Sequence, residues 1–289
     1  HTGVGVSRAV AAGNASVLGI ADYVEYFTDD PETAVSLVYI ESVDDGREMF
    51  ERMAPLASRK PIVVVKGGAS AAGARAAASH TGALASDDAV FDGMCRQAGL
   101  IRAKDVEEAF EAAATFATQP LPDGDRVVVV TTVGGWGVAA VDAMADTRLD
   151  PAALPDDLMA AIDEKLPPRW SKNNPIDMAG GETRDTVPEI LQLVAEHPDV
   201  DAVVLLGVGI QSNTASMMRN GPFFPDHGLE RIVGFHERQD TRYAEAAAEI
   251  STATGTPIVV ATELANAGPD NPAPATLHLS LIHISEPTR

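Results

Sequence analysis

The chain has 289 residues, room for two domains with separate cores, and 45% of it is hydrophobic, as in a globular protein. Its 42 acidic against 21 basic residues leave a formal net charge of -21, which argues against nucleic acid and anionic membrane surfaces as partners because like charges would repel. A single cysteine, Cys95, excludes an intramolecular disulfide and a multi-cysteine zinc site.

No apolar run approaches bilayer length and no secretory signal is legible, so the cytoplasm is expected. The basic residues are mostly arginine, with five lysines (Lys60, Lys66, Lys104, Lys165, Lys172). This acidity fits a salt-rich cytoplasm and a GC-rich coding sequence equally well.

In chain order, "VSLVYI" (35–40) is the first expected strand, followed by a helical pattern over 46–57 and the strand "PIVVVK" (61–66). A long loop, 67–85, carries "ASHTGALA" with His80. Helical patterns follow at 87–98, where Cys95 reads as packing, and at 105–118. "TQPLPDGD" (118–125) reads as a linker. "RVVVVTT" (126–132) opens a second series, with "GGWG" (Gly134–Gly137) leading into a helix over 137–145. "NNPIDMAGG" (173–181) reads as a rigid loop at the edge of this domain. A helix at 185–196, strands at 201–208 and 231–236, a helix at 243–254 and the strand "PIVVAT" (257–262) complete the series. The strands are continuous apolar runs, so both sheet faces are covered, and strand alternates with helix. The fold class is therefore α/β, with two doubly wound domains built on parallel sheets. The boundaries are 1–119 for the first domain, 120–125 for the linker and 126–268 for the second. The tail 269–289 is Pro-rich at first, and its last part, 279–289, looks like translated sequencing adaptor.

In such sheets, sites form beyond the carboxyl ends of strands. Three segments fall there: Glu41, the loop with His80, and the glycine turn. A neutral imidazole is a good nucleophile near physiological pH. The residues around His80 are nearly the smallest available, so a phosphate or a partner backbone can come close, and the helix after it is capped by Ser86 or Asp87. On composition alone a plain surface-loop histidine is the favoured reading. The turn "TTVGGWGVAA" offers free amides at a helix N-terminus, which suit an anion, and equally suits a tight structural turn. It also fits G-x-G-x-x-A through Gly135, Gly137 and Ala140. No strand is expected between it and residue 201 to supply the acidic partner of a dinucleotide site, so nicotinamide binding is disfavoured. There is no Walker A lysine motif, no H-E-x-x-H and no G-x-S-x-G. His197, His227 and His236 show no ligand spacing, and no metal site is expected.

Taken together, "GVGVSRAVAAGN" (3–14), "DYVEYFTDDPETAVSLVYIESV" (22–43), "KPIVVVKGG" (60–68), "GARAAASHTGALA" (73–85), "CRQAGLIR" (95–102), "TTVGGWGVAAVDA" (131–143) and "NNPIDMAGG" resemble the NDP-forming acyl-CoA synthetases. These include ADP-forming acetyl-CoA synthetase and are relatives of succinyl-CoA synthetase. The resemblance covers most of the chain up to about residue 265 and rests above all on the SHTG segment.

The resemblance implies two flavodoxin-like domains, the first a phosphohistidine domain truncated at its N-terminus. It implies a relay in which ATP phosphorylates His80, Glu41 orients the imidazole, and Gly134, Gly135 and Gly137 with Ser79, Thr81 and Gly82 hold the phosphate. Acyl phosphate then reacts with CoA. ATP/ADP with Mg and CoA are implied as cofactors of the intact enzyme, with none held tightly by this piece. The implied partners are an ATP-grasp domain or subunit, a CoA-binding domain and a small carboxylic acid. The CoA-binding domain, the first strand and helix of the histidine domain and the ATP-grasp part are not in this chain. Trp136 stands where relatives usually have proline, so the turn is expected to be tightened or partly covered. The alternative is a non-catalytic, regulatory synthetase-like module of a protein acyltransferase.

Overall fold

The computed structural model describes residues 4–13, 15, 17–43, 45–70, 73, 87–145, 147–181, 184–262 and 283–284. It divides into two compact units, 1–117 and 118–289.

The first unit runs α1 (Ile20–Asp29), β1 (Ser36–Ile40), α2 (Gly46–Ala57), β2 (Ile62–Lys66), α3 (Asp88–Ala98), β3 (Ile101–Ala103) and α4 (Val106–Thr118). Its strands lie parallel in the order β1-β2-β3, with Ser36 opposite Ile62 and Val63 opposite Ile101. All five residues of β2 are buried, as a continuous apolar run at the centre of a covered sheet should be. The pleat divides them. Ile62 and Val64 pack with Val24, Met53, Phe91 and Cys95 from α1, α2 and α3, while Val63 and Val65 pack with Ala109 and Ala113 of α4. Helices on both faces make this a doubly wound sheet. Asp45 caps α2 by accepting from the Arg47 and Glu48 N–H groups. Asp87 caps α3, accepting from Ala89 N and Val90 N, and Gly99 ends it in the left-handed conformation.

The second unit runs β4 (Val127–Thr131), α5 (Gly134–Met144), α6 (Asp156–Asp163), β5 (Ile176–Asp177), α7 (Thr186–Ala195), β6 (Ala202–Val208), α8 (Ile210–Arg219), α9 (Leu229–Thr254), β7 (Ile258–Thr262) and β8 (His283–Ile284). The order is β5-β4-β6-β7-β8, parallel throughout. One face buries Val128, Val130, Leu205 and Val260 under α6, α7 and α9; the other sets Val127 and Val129 against Met144 of α5. The expected tail lies outside the described residues apart from His283–Ile284, the short edge strand β8.

Four details differ from the sequence reading. "RIVGFH" (231–236) is not a strand but part of α9. Val233 is buried, whereas Ile232 and Phe235 are 39% and 45% exposed. The buried stripe continues through Asp240, Ala244, Ala247 and Ser251, three or four residues apart, which is the helical period. Nothing in "ERQDTR" (237–242) stops a helix, so the short apolar run is absorbed into a longer one. Second, a strand does precede residue 201: Ile176–Asp177 pairs with Val130 and Thr131 at the sheet edge. It forms there because Asn174 continues the sheet with its side chain. The Asn174 amide accepts from Val129 N at 2.9 Å and donates to Val127 O at 2.8 Å and Ala152 O at 3.0 Å. Third, α5 starts at Gly134 rather than Gly137, so the glycines form its first turn. Fourth, α1, β3, α6, α8 and β8 were not anticipated.

Candidate functional site

In the first unit the C-terminal edge of the sheet is built by β1 and β2. The Gly67 N–H donates to Ile40 O at 2.7 Å, so the chain leaving β2 runs beside the end of β1. Tyr39 and Glu41 are two apart and fall on the same side. A Cβ at residue 67 would stand 2.5 Å from Tyr39 Oη and 3.5 Å from Glu41 Cγ, so both side chains lie against Gly67 and a larger residue there would push the Tyr39 ring aside. Glu41, half-buried, therefore lies over the first residue of the segment that carries His80. His80, Ser79, Thr81 and Gly82 lie outside the described residues. Tyr39, 55% exposed although aromatic, was missed by the sequence reading; its i, i+2 relation to Glu41 was the available signal.

In the second unit, Thr131 closes the turn after β4. Its hydroxyl accepts from Val133 N and donates to Val133 O, both at 2.9 Å. The structure brings Gly134, Gly135 and Gly137 together in the first turn of α5. The N-cap, Val133, has no side chain that can cap, and there is no acid in the first turn. Trp136 N and Gly137 N donate back to Val133 O, and among the described residues no hydrogen bond reaches the N–H of Gly134 or Gly135. This leaves donors at the positive end of the helix dipole. Gly137 allows the helix to sit against the edge loop: a Cβ there would be 2.9 Å from Pro175 Cβ and 3.1 Å from Thr131 Cγ2. A methyl at Gly134 would collide with the Asp177 carboxylate, whose Oδ1 accepts from Ala179 N. Trp136 does not cover the turn alone; it packs against the cluster of Val127, Val129 and Met144.

A second helix begins at the same edge, after β6, and it is treated differently. The Asp240 carboxylate accepts from Gly209 N at 3.0 Å and from Ser212 N and Oγ at 2.7 and 2.5 Å, filling the N-terminus of α8. Asp240 is fully buried. Burial pushes its carboxyl up, against the hydrogen bonds from Ser212 and Gly209 that draw it down. Of these two helix ends, α8 has its N–H groups bonded by a carboxylate, whereas at α5 the Asp177 carboxylate stands beside Gly134 with no hydrogen bond to its N–H. Among the described residues no group of three or more His, Cys, Asp or Glu could hold a metal ion, and no helix is long and apolar enough to cross a membrane.

Two family models match the chain: a succinyl-CoA ligase like flavodoxin domain over residues 1–116 and a ligase-CoA domain over residues 127–218. The alpha subunit of ADP-forming acetate–CoA ligase I from Pyrococcus furiosus is 37% identical over 205 residues, 70% of this chain and 44% of that subunit. The ADP-forming 4-hydroxybutyrate–CoA ligase of Nitrosopumilus maritimus is 34% identical over 204 residues, 70% of this chain and 29% of that protein. Among solved structures, acetyl-coenzyme A synthetase 1 of Ca. Korarchaeum cryptofilum, in complex with phosphate and ADP, matches with a TM-score of 0.77 at 28% identity. That match covers 99% of this chain and 57% of the other. The chain spans less than half the length of these curated relatives. With both domain types in the family's arrangement and these relatives, the chain belongs to the NDP-forming acyl-CoA synthetases.

Proposed function

We propose that this chain is the phosphoryl-carrying core of an ADP-forming acyl-CoA ligase, with a small carboxylic acid such as acetate as substrate. The observation that carries the reading is that one chain holds both the SHTG motif and a helix start built from glycines whose first two N–H groups have no partner among the described residues. An imidazole nitrogen of His80 attacks the γ-phosphorus of ATP, forming an N–P bond as ADP leaves. A carboxylate oxygen then attacks the same phosphorus, releasing the imidazole and giving the acyl phosphate. The CoA thiolate displaces phosphate from the acyl carbon, yielding acyl-CoA.

Glu41 accepts a hydrogen bond from one ring N–H of His80 and so leaves the other nitrogen free to attack. Gly134 and Gly135 hold the transferred group through their backbone N–H donors, while Gly137, whose N–H donates to Val133 O, lets the helix start sit close to Pro175, with Ser79, Thr81 and Gly82 on the histidine side. Phosphoryl transfer asks mainly for positioning and charge stabilisation, and backbone amides supply both without a lysine. ATP with Mg is held by an ATP-grasp domain or subunit and CoA by a CoA-binding domain. The relatives named above are all ligases, and the regulatory alternative is not carried forward.

The test uses the complete enzyme containing this chain, with its ATP-grasp partner and Mg-ATP, and intact mass taken under alkaline conditions. The expected result is one added phosphate, lost in acid and absent from His80→Ala. A folded, ATP-competent enzyme that never gains phosphate, or an H80A variant that turns over normally, would overturn the proposal.

A further inference from the structure

The first unit buries a lysine at the C-terminal edge of its central strand. Lys66 is the last residue of β2, and its side chain is 0% exposed. A buried ammonium is costly unless it is paired, and an aliphatic residue would fill the same space. Lys66 Nζ lies 3.4 Å from Asp88 Oδ1 and 5.7 Å from the centroid of the Phe91 ring. Arg102 on β3 reaches the same carboxylate, with Nη2 2.7 Å from Asp88 Oδ1 and Nη1 3.2 Å from Asp88 O. Its guanidinium stands 5.5 Å from the Phe91 ring, and Nη1 is 3.4 Å from Asp92 Oδ1. Burial pushes the Asp88 carboxyl up, but the hydrogen bond and charge of Arg102, with Lys66, outweigh it and hold it below its ordinary value.

Asp88 is the first residue of α3, yet the capping is done by Asp87. The Asp88 carboxylate is turned instead to Lys66 and Arg102. In the sequence, Lys66 immediately precedes and Asp88 immediately follows residues 67–87, the segment that contains His80. The ion pair therefore ties together the two ends of that segment, and Arg102 braces the tie from the third strand.

We propose that Lys66 is a positioning residue for phosphoryl transfer through His80: its pair with Asp88 fixes where the histidine segment leaves β2 and enters α3. The inference rests on the relay reading of His80. Displacing a reacting group by about 1 Å costs up to about a hundredfold in rate, which is the scale expected when the tie is cut.

The experiment compares wild type, Lys66→Met, Asp88→Asn and the double variant in the complete enzyme with Mg-ATP. It reads thermal stability, the rate of acid-labile phosphate appearing on His80, and KM for ATP. K66M leaves Asp88 paired with Arg102, and Arg102 also with Asp92, so it holds the fold; its phosphate transfer is expected to be about 10- to 100-fold slow with KM for ATP unchanged. D88N leaves the buried ammonium without the Asp88 carboxylate and is expected to be the least stable of the three. The double variant also removes that ammonium, so its thermal stability returns toward wild type while transfer stays slow. A stable K66M or double variant that phosphorylates His80 at the wild-type rate overturns the positioning role while leaving the relay intact. A wild-type enzyme with no phosphate on His80 overturns the relay itself and this role with it.

Discussion

Replacing Asn174 by alanine should destabilise the second unit more than any exposed loop substitution. The side chain makes three hydrogen bonds of 2.8–3.0 Å, two along the edge of β4 and one to Ala152 O. Two of the partners, Val129 N and Val127 O, belong to fully buried residues that water does not reach. Each buried group left unpaired costs about 1–3 kcal/mol, so the pair costs about 2–6 kcal/mol. For a unit of this size a kcal/mol moves the melting temperature by about 2–4 °C, which puts the expected fall between about 4 and 24 °C. Thermal denaturation followed by near-ultraviolet circular dichroism measures it. Asn174→Asp sharpens the test: it keeps an oxygen for Val129 N but sets a carboxylate against the carbonyls of Val127 and Ala152. At pH 7 it should be at least as damaging as alanine. An N174A protein melting within about 1 °C of wild type, or an N174D protein more stable than N174A, would refute the claim that this side chain substitutes for strand pairing.

The glycines of α5 should separate by their surroundings. Gly137→Ala meets Pro175 at 2.9 Å and should cost about 1–3 kcal/mol in urea denaturation, whereas Gly135→Ala meets nothing within 4 Å and should be neutral or slightly stabilising. Asp201 accepts from Arg126 N, Nε and Nη2, and the Arg126 hydrogen bond, acting against burial, holds its carboxyl below the ordinary value. A lowered folded value means the stabilisation is complete above the unfolded pKa of about 3.9 and is lost as pH falls through the folded one. Asp201→Asn should therefore cost about 2 kcal/mol at pH 7, with the gap to wild type closing in melts below about pH 3. Cys95 is 0% exposed and burial pushes its thiol up to about 11. A maleimide at pH 7 should leave the native protein unlabelled and modify it only in denaturant; prompt labelling of the native state would contradict that packing.

The sequence alone determined what short-range pattern can carry. The valine runs of β2 and β4 had to be covered strands because no exposed strand is apolar on both faces. The helices over 46–57 and 88–98 were legible from period and caps, and the glycine turn and Glu41 from their places at strand ends. Tertiary structure decided the rest. Asn174 becomes part of a sheet only because β4 passes alongside, 45 residues away in the chain. Asp240 fills the N-terminus of α8 from 28 residues downstream, and that is what separates this helix start from that of α5. "RIVGFH" is helical because Val233 has a core to enter while Ile232 and Phe235 do not. Lys66 reads as an ordinary charged strand end until its burial beside Asp88 and Arg102 is seen. Local propensity and period are properties of a few neighbouring residues. The partner of a buried polar group is set by which distant segments pack against it, and only the folded chain contains that information.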